Sequence, residues 1–347
     1  MHDGIAANGL KKLILENVMN FNQYKQQLEL CRSPSIPPLA ATIDTLVLSE
    51  FFLGFPSSFL PALGDQLADL KNLTIARQRF AGMSMDTARE AEQFITRIRD
   101  LVELHMVDVF LPQGFLSVLG EHQRRKPAKE GLLILQIDYT YEEIPNSGGD
   151  VLNDTLGRMS IPELHTFISP GISWISFKML PRDANGIVPY WRHATEPLVS
   201  ALTNDATAPT MMKHLKITAF QLSLEDLRRI LAKHPRIMNL DVTLRLETMA
   251  RYLERVVEVL GLCSNLCQIE IVGFPVVSTP DEDPNPRPLF TSVEQVQALT
   301  MRCPNLFRLN TNVLLCDKFG AATWSREPGR PEAPWEGGVT SLPVAAA

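Results

Sequence analysis

The chain has 347 residues, 45% of them apolar, 21% charged and 7% aromatic, which is an ordinary soluble composition and long enough for two average domains or one extended array. Its formal charge of -6 argues against a general nucleic-acid or anionic-membrane surface, because those partners select strongly basic faces. No charge-free apolar stretch approaches ~20 residues, which excludes a membrane-spanning helix, and the opening residues lack the apolar core of a secretory signal.

Sliding the pattern apolar-x-x-apolar-x-apolar along the chain predicts ten strands. In order they are "LKKLIL" at Leu10, "IDTLVL" at Ile43, "LKNLTI" at Leu70, "LVELHM" at Leu101, "LLILQI" at Leu132, "ISWISF" at Ile172, "MKHLKI" at Met212, "IMNLDV" at Ile237, "LCQIEI" at Leu266 and "LFRLNT" at Leu306. Around Ile172 the register has an alternative, since "IPELHTF" at Ile161 fits part of the same pattern.

Segments with helical period lie between these strands. Phe59, Leu60, Leu63 and Leu67 make one face. "TARE" at Thr87–Glu90 reads as a capping box ahead of Ala91, Phe94, Ile95 and Ile98. "SLED" at Ser223 precedes Leu224, Leu227, Ile230 and Leu231. A further face carries Leu253, Val256, Val257 and Leu260, and "SVEQ" at Ser292 precedes Val296 and Leu299. A parallel sheet covered on both faces would read as continuous apolar runs. Here Lys12, Thr45, Asn72, Glu103, Lys216, Asp241 and Glu270 interrupt the strands, so one face is covered and the other is open to water.

Three units share one phrase: "CPNLFRLNT" at Cys303, "CSNLCQIEI" at Cys263 and, with His in the Cys place, "HPRIMNLDV" at His234. In this the chain resembles the leucine-rich-repeat region of fungal F-box-type proteins, over roughly Leu10 to Cys316. The resemblance implies an α/β fold, an irregular leucine-rich-repeat solenoid of about ten repeats with a parallel concave sheet and helices on the convex side, over residues 1–316. Residues 317–347 have the composition of a disordered tail. The first repeat starts at Leu10 and leaves no room for an F-box ahead of it in this chain.

Several stretches read as connections. "EHQRRKPAKE" at Glu121–Glu130 is a basic loop, "EEIPNSGGD" at Glu142–Asp150 is turn-rich, and "PYWRHATEP" places Tyr190, Trp191 and His193 on a protrusion. "STPDEDPNPRP" at Ser278–Pro288 is an acidic, Pro-rich excursion.

The motifs of catalysis do not occur. The seven histidines show neither His-x3-His nor His-Glu-x-x-His spacing, and there is no Gly-x-Ser-x-Gly elbow or phosphate-cradling Gly motif. Cys263 and Cys267 are two thiols where structural zinc takes four ligands. The odd, sparse set Cys31, Cys263, Cys267, Cys303 and Cys316 suits reduced thiols of cytoplasm or nucleus.

What remains is the open face. The predicted row comprises Glu103, His105, Gln136, Asp138, Trp174, Lys178, His214, Lys216, Asn239, Asp241, Gln268, Glu270, Arg308 and Asn310. Mixed charges, amides and one Trp suit a protein or peptide ligand better than a phosphate backbone. The expectation is a non-catalytic recognition scaffold without cofactor or metal, binding neither nucleic acid nor membrane. The resemblance implies the substrate-binding part of an F-box ubiquitin-ligase adaptor, with ubiquitin-ligase components as further partners where an F-box is present. A stand-alone leucine-rich-repeat interaction protein is the alternative, and an α/β hydrolase or transferase is the third reading.

Overall fold

All ten stretches that follow the apolar rule form strands, and each strand starts at the third position of its motif. The computed structural model describes residues 9–31, 35–80, 85–112, 114–127, 130–141, 164–181, 192–246, 252–275, 288–315 and 318–343. The chain divides into two compact units, residues 1–172 and 173–347. Both are mixed α/β, with mostly parallel strands alternating with helices.

In the first unit β1 (Lys12–Glu16), β2 (Thr45–Ser49), β3 (Asn72–Arg79), β4 (Glu103–Phe110) and β5 (Ile134–Tyr141) pair in sequence order, all parallel. Its helices are α1 (Phe21–Leu30), α2 (Phe59–Gln66), α3 (Met85–Arg97), α4 (Phe115–Arg124) and the single turn α5 (Leu164–Phe167). In the second unit β6 (Trp174–Pro181), β7 (His214–Leu222), β8 (Asn239–Leu246), β9 (Gln268–Pro275) and β10 (Arg308–Leu315) are parallel neighbours. Its helices are α6 (Arg192–Thr203), α7 (Leu224–Lys233), α8 (Tyr252–Leu260) and α9 (Val293–Thr300).

The motif works through one backbone turn. From the second repeat on, its first apolar residue is buried, as at Leu70, Leu101, Ile172, Met212 and Leu266. The carbonyl of its second residue then accepts two successive N–H groups from the next repeat, at 2.7–3.3 Å. Lys11, Asp44, Lys71 and Val102 do this in the first unit, and Ser173, Lys213, Met238 and Cys267 in the second. The polar groups that would be stranded where a helix gives way to a strand are thereby satisfied. The fourth and sixth residues are the core: Leu46 and Leu48, Leu104 and Met106, Leu215 and Ile217, Leu240 and Val242 are all buried.

The recurrent Cys has a defined place in this scheme. Cys303 Sγ donates to the carbonyl of Cys263 (3.5 Å), and Cys263 Sγ donates to the carbonyl of His234 (3.3 Å). His234 Nε2 lies 2.7 Å from the Leu202 carbonyl. A carbonyl only accepts, so that nitrogen carries the proton. Three side chains at one repeat position therefore tie successive helix ends together. Burial lowers the pKa of His234 against a smaller upward push from the Leu202 carbonyl, and it pushes both thiols up to about 12. Only a thiolate attacks a disulfide reagent. At about pH 8, Cys263 and Cys303 are expected to stay unlabelled in the folded protein, while the half-exposed Cys31 and Cys267 react. Labelling of Cys263 or Cys303 at the same rate in native buffer as in denaturant would contradict the ladder.

The first unit has a recurrent kink of its own. Arg77 (φ 47°) and Asp108 (φ 50°) each directly follow the paired positions Ala76 and Val107, and Glu50 (φ 64°) follows Ser49, the partner of Ala76. These are left-handed conformations that only glycine adopts freely. The Arg77 guanidinium meets the Glu50 carboxylate at 2.9 Å across the kink.

Helix faces agree with the periodicity in most places. Ala91, Phe94, Ile95 and Ile98 are buried, and Ser223 caps α7, with Asp226 N–H donating to its Oγ at 3.1 Å and Asp226 Oδ2 accepting from Ser223 N–H at 2.9 Å. Other places differ. α3 begins at Met85, so Thr87 is inside it rather than capping it; Glu90 instead accepts from the Ser58 N–H at the start of α2, at 2.9 Å. α8 is turned so that Tyr252, Val256, Val259 and Leu260 are buried, with Leu253 and Val257 half-buried.

The basic stretch from Glu121 is no loop at its start, because α4 runs to Arg124. Arg124 Nη1 donates to the Thr166 carbonyl at 2.7 Å, and Lys126 Nζ to the Arg99 carbonyl at 2.5 Å. Long cations here clamp backbone carbonyls inside the unit. Residues 142–150, 161, 190, 191 and 278–287 lie outside the described residues.

The largest difference is at the carboxyl end. Where a tail is expected, β11 (Lys318–Ser325) and β12 (Glu336–Pro343) add antiparallel strands to β10. Arg326 Nε donates to the Leu306 carbonyl at 2.7 Å and its Nη2 to that of Pro304 at 2.6 Å, while Nη1 bonds the Pro331 carbonyl. Trp324 Nε1 donates to the Phe290 carbonyl at 2.8 Å. The Gly- and Pro-rich composition hides a cap that rests on two side chains.

Candidate functional site

Register decides which outward residues meet. In the second unit the third motif positions form one cross-strand row: Trp174, His214, Asn239, Gln268 and Arg308. The fifth positions form the next: Ser176, Lys216, Asp241, Glu270 and Asn310. Nine of the predicted residues thus lie in two adjacent rows across β6 to β10. Lys178 follows Ser176 on the same face, and its charge acts on Glu270. The rule that selects Lys216 also selects Ser176, at the same motif position, although a small hydroxyl attracts less notice than a charge.

The rows are knitted together. The Trp174 ring stacks on His214 with centroids 4.0 Å apart, and His214 Nδ1 lies 2.9 Å from Asn239 Nδ2. An amide nitrogen only donates, so Nδ1 is the acceptor and His214 is neutral in this arrangement. Burial lowers the pKa of His214, assisted by the charges of Lys216 and Lys213. In the second row Lys216 Nζ meets Asp241 Oδ2 at 2.6 Å. Glu270 has its pKa raised by burial and then by Asp241, against the opposing pull of Lys216, Lys178 and Arg308.

This face is less solvated than alternation alone suggests. Asp241 is 7% exposed and Ser176 3%, because neighbouring strands stand ~4.8 Å apart and long side chains cover short ones. Arg308 is the exposed member. On this face of β6 to β10 two buried polar atoms have no hydrogen-bond partner among the described residues: the donor Trp174 Nε1 on β6 and the acceptor Asn310 Oδ1 on β10. Each such group costs about 1–3 kcal/mol.

The other four predicted residues belong to the first unit. His105 Nε2 lies 3.0 Å from Asp138 Oδ2, and Gln136 Nε2 donates to the same oxygen at 2.7 Å. Glu103 stands apart from this trio, in the row of Thr45, Asn72 and Ile134. Lys12 is the first member of that row, and Asn72 Nδ2 donates to Thr45 Oγ1 at 3.3 Å, so a short amide-hydroxyl pair separates the Lys12 and Glu103 positions.

The arrangement offers recognition groups in a plane. Charges of both signs, three amides and a stacked Trp-His pair are spread over five strands. Among the described residues no group of three metal-capable side chains occurs, and no helix is long and apolar enough to cross a membrane. Cys263 is turned into the helix-end ladder, and Cys267 Sγ donates to the Asn265 carbonyl at 3.3 Å. No protein-family model and no curated protein matches this chain.

Proposed function

We propose that the chain is built of irregular leucine-rich repeats and serves as a non-catalytic protein-recognition scaffold, with the open face of β6 to β10 as its binding surface. One observation carries this reading: ten outward side chains stand in two in-register rows, Trp174 to Arg308 and Ser176 to Asn310. Five strands span four spacings, about 19 Å, which an extended peptide of roughly six residues would cross. Its backbone and side chains would meet the amides of Asn239 and Gln268, the Arg308 guanidinium and the Lys216–Asp241–Glu270 charges. An unpartnered donor at Trp174 and acceptor at Asn310 are groups whose free energy improves when a ligand supplies the missing hydrogen bond. A role as the substrate-binding part of a ubiquitin-ligase adaptor, with a cytoplasmic or nuclear location, rests on the resemblance of the "CPNL"-type units and on the free cysteines. The stand-alone interaction protein is separated from it by a pull-down with the ligase's linker subunit.

The test reverses three charges at once: Lys216→Glu, Asp241→Lys and Glu270→Lys. All three change sign together, so their mutual attractions and repulsions are conserved while the field presented to a ligand is inverted. The variant is expected to keep its circular dichroism spectrum and to lose at least about a hundred-fold in affinity for the proteins that the wild type captures from a lysate of its own cells. A folded variant that recovers the same proteins equally well would move recognition off this face.

A further inference from the structure

The two ends of the strand series are finished differently. β12 closes the second unit with Gly337, Gly338 and Pro343 in its sequence, residues that discourage further pairing at an edge. β1 opens the first unit with "KLILE". It pairs with β2 on one side, and among the described residues nothing pairs with its other edge. Exposed apolar side chains gather beside it: Ile14 is 55% exposed and Val18 89%, with Leu10, Met19 and Phe21 close in sequence. A cavity of ≈ 540 Å³ runs along the strand, with Leu13, Ile14, Leu15 and Glu16 lining it together with Ile36 and Phe59.

An unpaired, apolar strand edge is a template for another strand. The five residues select which one. Lys12, Ile14 and Glu16 alternate onto the same face, all exposed. An antiparallel strand of the same sequence, centred on Ile14, would set Lys12 opposite the partner's Glu16, Ile14 opposite the partner's Ile14, and Glu16 opposite the partner's Lys12. Directly opposed side chains on one face are ~5 Å apart and interact. A parallel copy would instead oppose Lys to Lys and Glu to Glu. The pattern is self-complementary under a two-fold axis, which is the condition for a closed dimer. We propose that the outer edge of β1 binds the β1 edge of a second copy of this chain, in an antiparallel dimer centred on Ile14.

The full chain, examined by light scattering during size-exclusion chromatography and by sedimentation equilibrium, is expected to have twice the mass of one chain at high concentration. Lys12→Glu places two pairs of like charges across the axis and should weaken the dimer about ten-fold or more, with an unchanged circular dichroism spectrum because Lys12 is exposed. Adding Glu16→Lys to that variant restores opposite charges and should restore the dimer, a recovery that damage to the fold or a generic loss of a charge would not produce. A wild-type chain that stays monomeric at its solubility limit overturns the proposal. So does a dimer indifferent to Lys12→Glu, or a double variant that fails to recover. A chain that dimerises only after residues 1–8 are removed would assign the edge to that segment and likewise overturn it.

Discussion

Leu240→Asp is expected to unfold the second unit. Leu240 is fully buried in the central strand β8, and its register partners Leu215 and Ile269 are buried too. A carboxylate there has only aliphatic neighbours on either side along the row. It must either remain charged without a partner or take up a proton, and in both cases the lost apolar contacts add to the penalty. The expected loss exceeds about 4 kcal/mol, a large share of the stability of an ordinary domain. The contrast is Asn239→Asp, one residue earlier and on the opposite side of the sheet. Asn239 is half-buried and donates to His214 Nδ1 at 2.9 Å. The substitution loses that donor, but His214 can turn to donate instead, so the cost is about 1 kcal/mol. Urea denaturation of the two variants checks the assignment of sides. Similar midpoints would refute it.

Arg326→Ala is expected to release the carboxyl-terminal cap. Arg326 is 7% exposed, and its guanidinium supplies hydrogen bonds to the carbonyls of Leu306, Pro304 and Pro331. It also lies 5.0 Å from the centre of the Trp335 ring. Burial lowers its pKa, yet the charge survives at neutral pH because a guanidinium holds its proton more tightly than any other side chain. Removing it leaves three carbonyls without their donor, at a cost of about 3 kcal/mol after local relaxation. In a unit of this size that corresponds to a fall of roughly 6–12 °C in Tm. Arg326→Lys should recover only part of the loss, because an ammonium cannot span the three acceptors that the planar fork reaches. Limited proteolysis supplies the second measurement: residues 318–343 should become accessible in Arg326→Ala well below the temperature at which β6 to β10 melt. Equal protection in wild type and variant would show that β11 and β12 are held by their ladder alone.

The sequence by itself determined where the ten parallel strands lie and, from the second of them on, which side of each is buried. The reason is local: a strand alternates with period two, and the first, fourth and sixth residues of the motif occupy equivalent buried places from Ile43 to Leu306. It also determined the row to which Lys216, Asp241 and Glu270 belong, because equal motif positions in parallel strands become register partners.

Tertiary structure decided what those positions do. Nothing in "CPNL" says that the thiol of one repeat donates to the carbonyl at the same position in the repeat before it, since that bond joins residues forty apart. Nor does alternation reveal that Asp241 is almost wholly covered and paired with Lys216; side-chain length and strand spacing settle burial on the outward side. The basic run at Arg124 and Lys126 looked like a solvated connection because charge is read as exposure, whereas both cations are held by backbone carbonyls of other segments. The carboxyl-terminal strands were illegible for the same kind of reason. Glycines, alanines and a proline interrupt their strand-forming residues, and they are strands because β10 offers an edge and Arg326 and Trp324 find acceptors on the last repeat. Local pattern specifies a repeat, and only the neighbouring repeat specifies how its side chains are used.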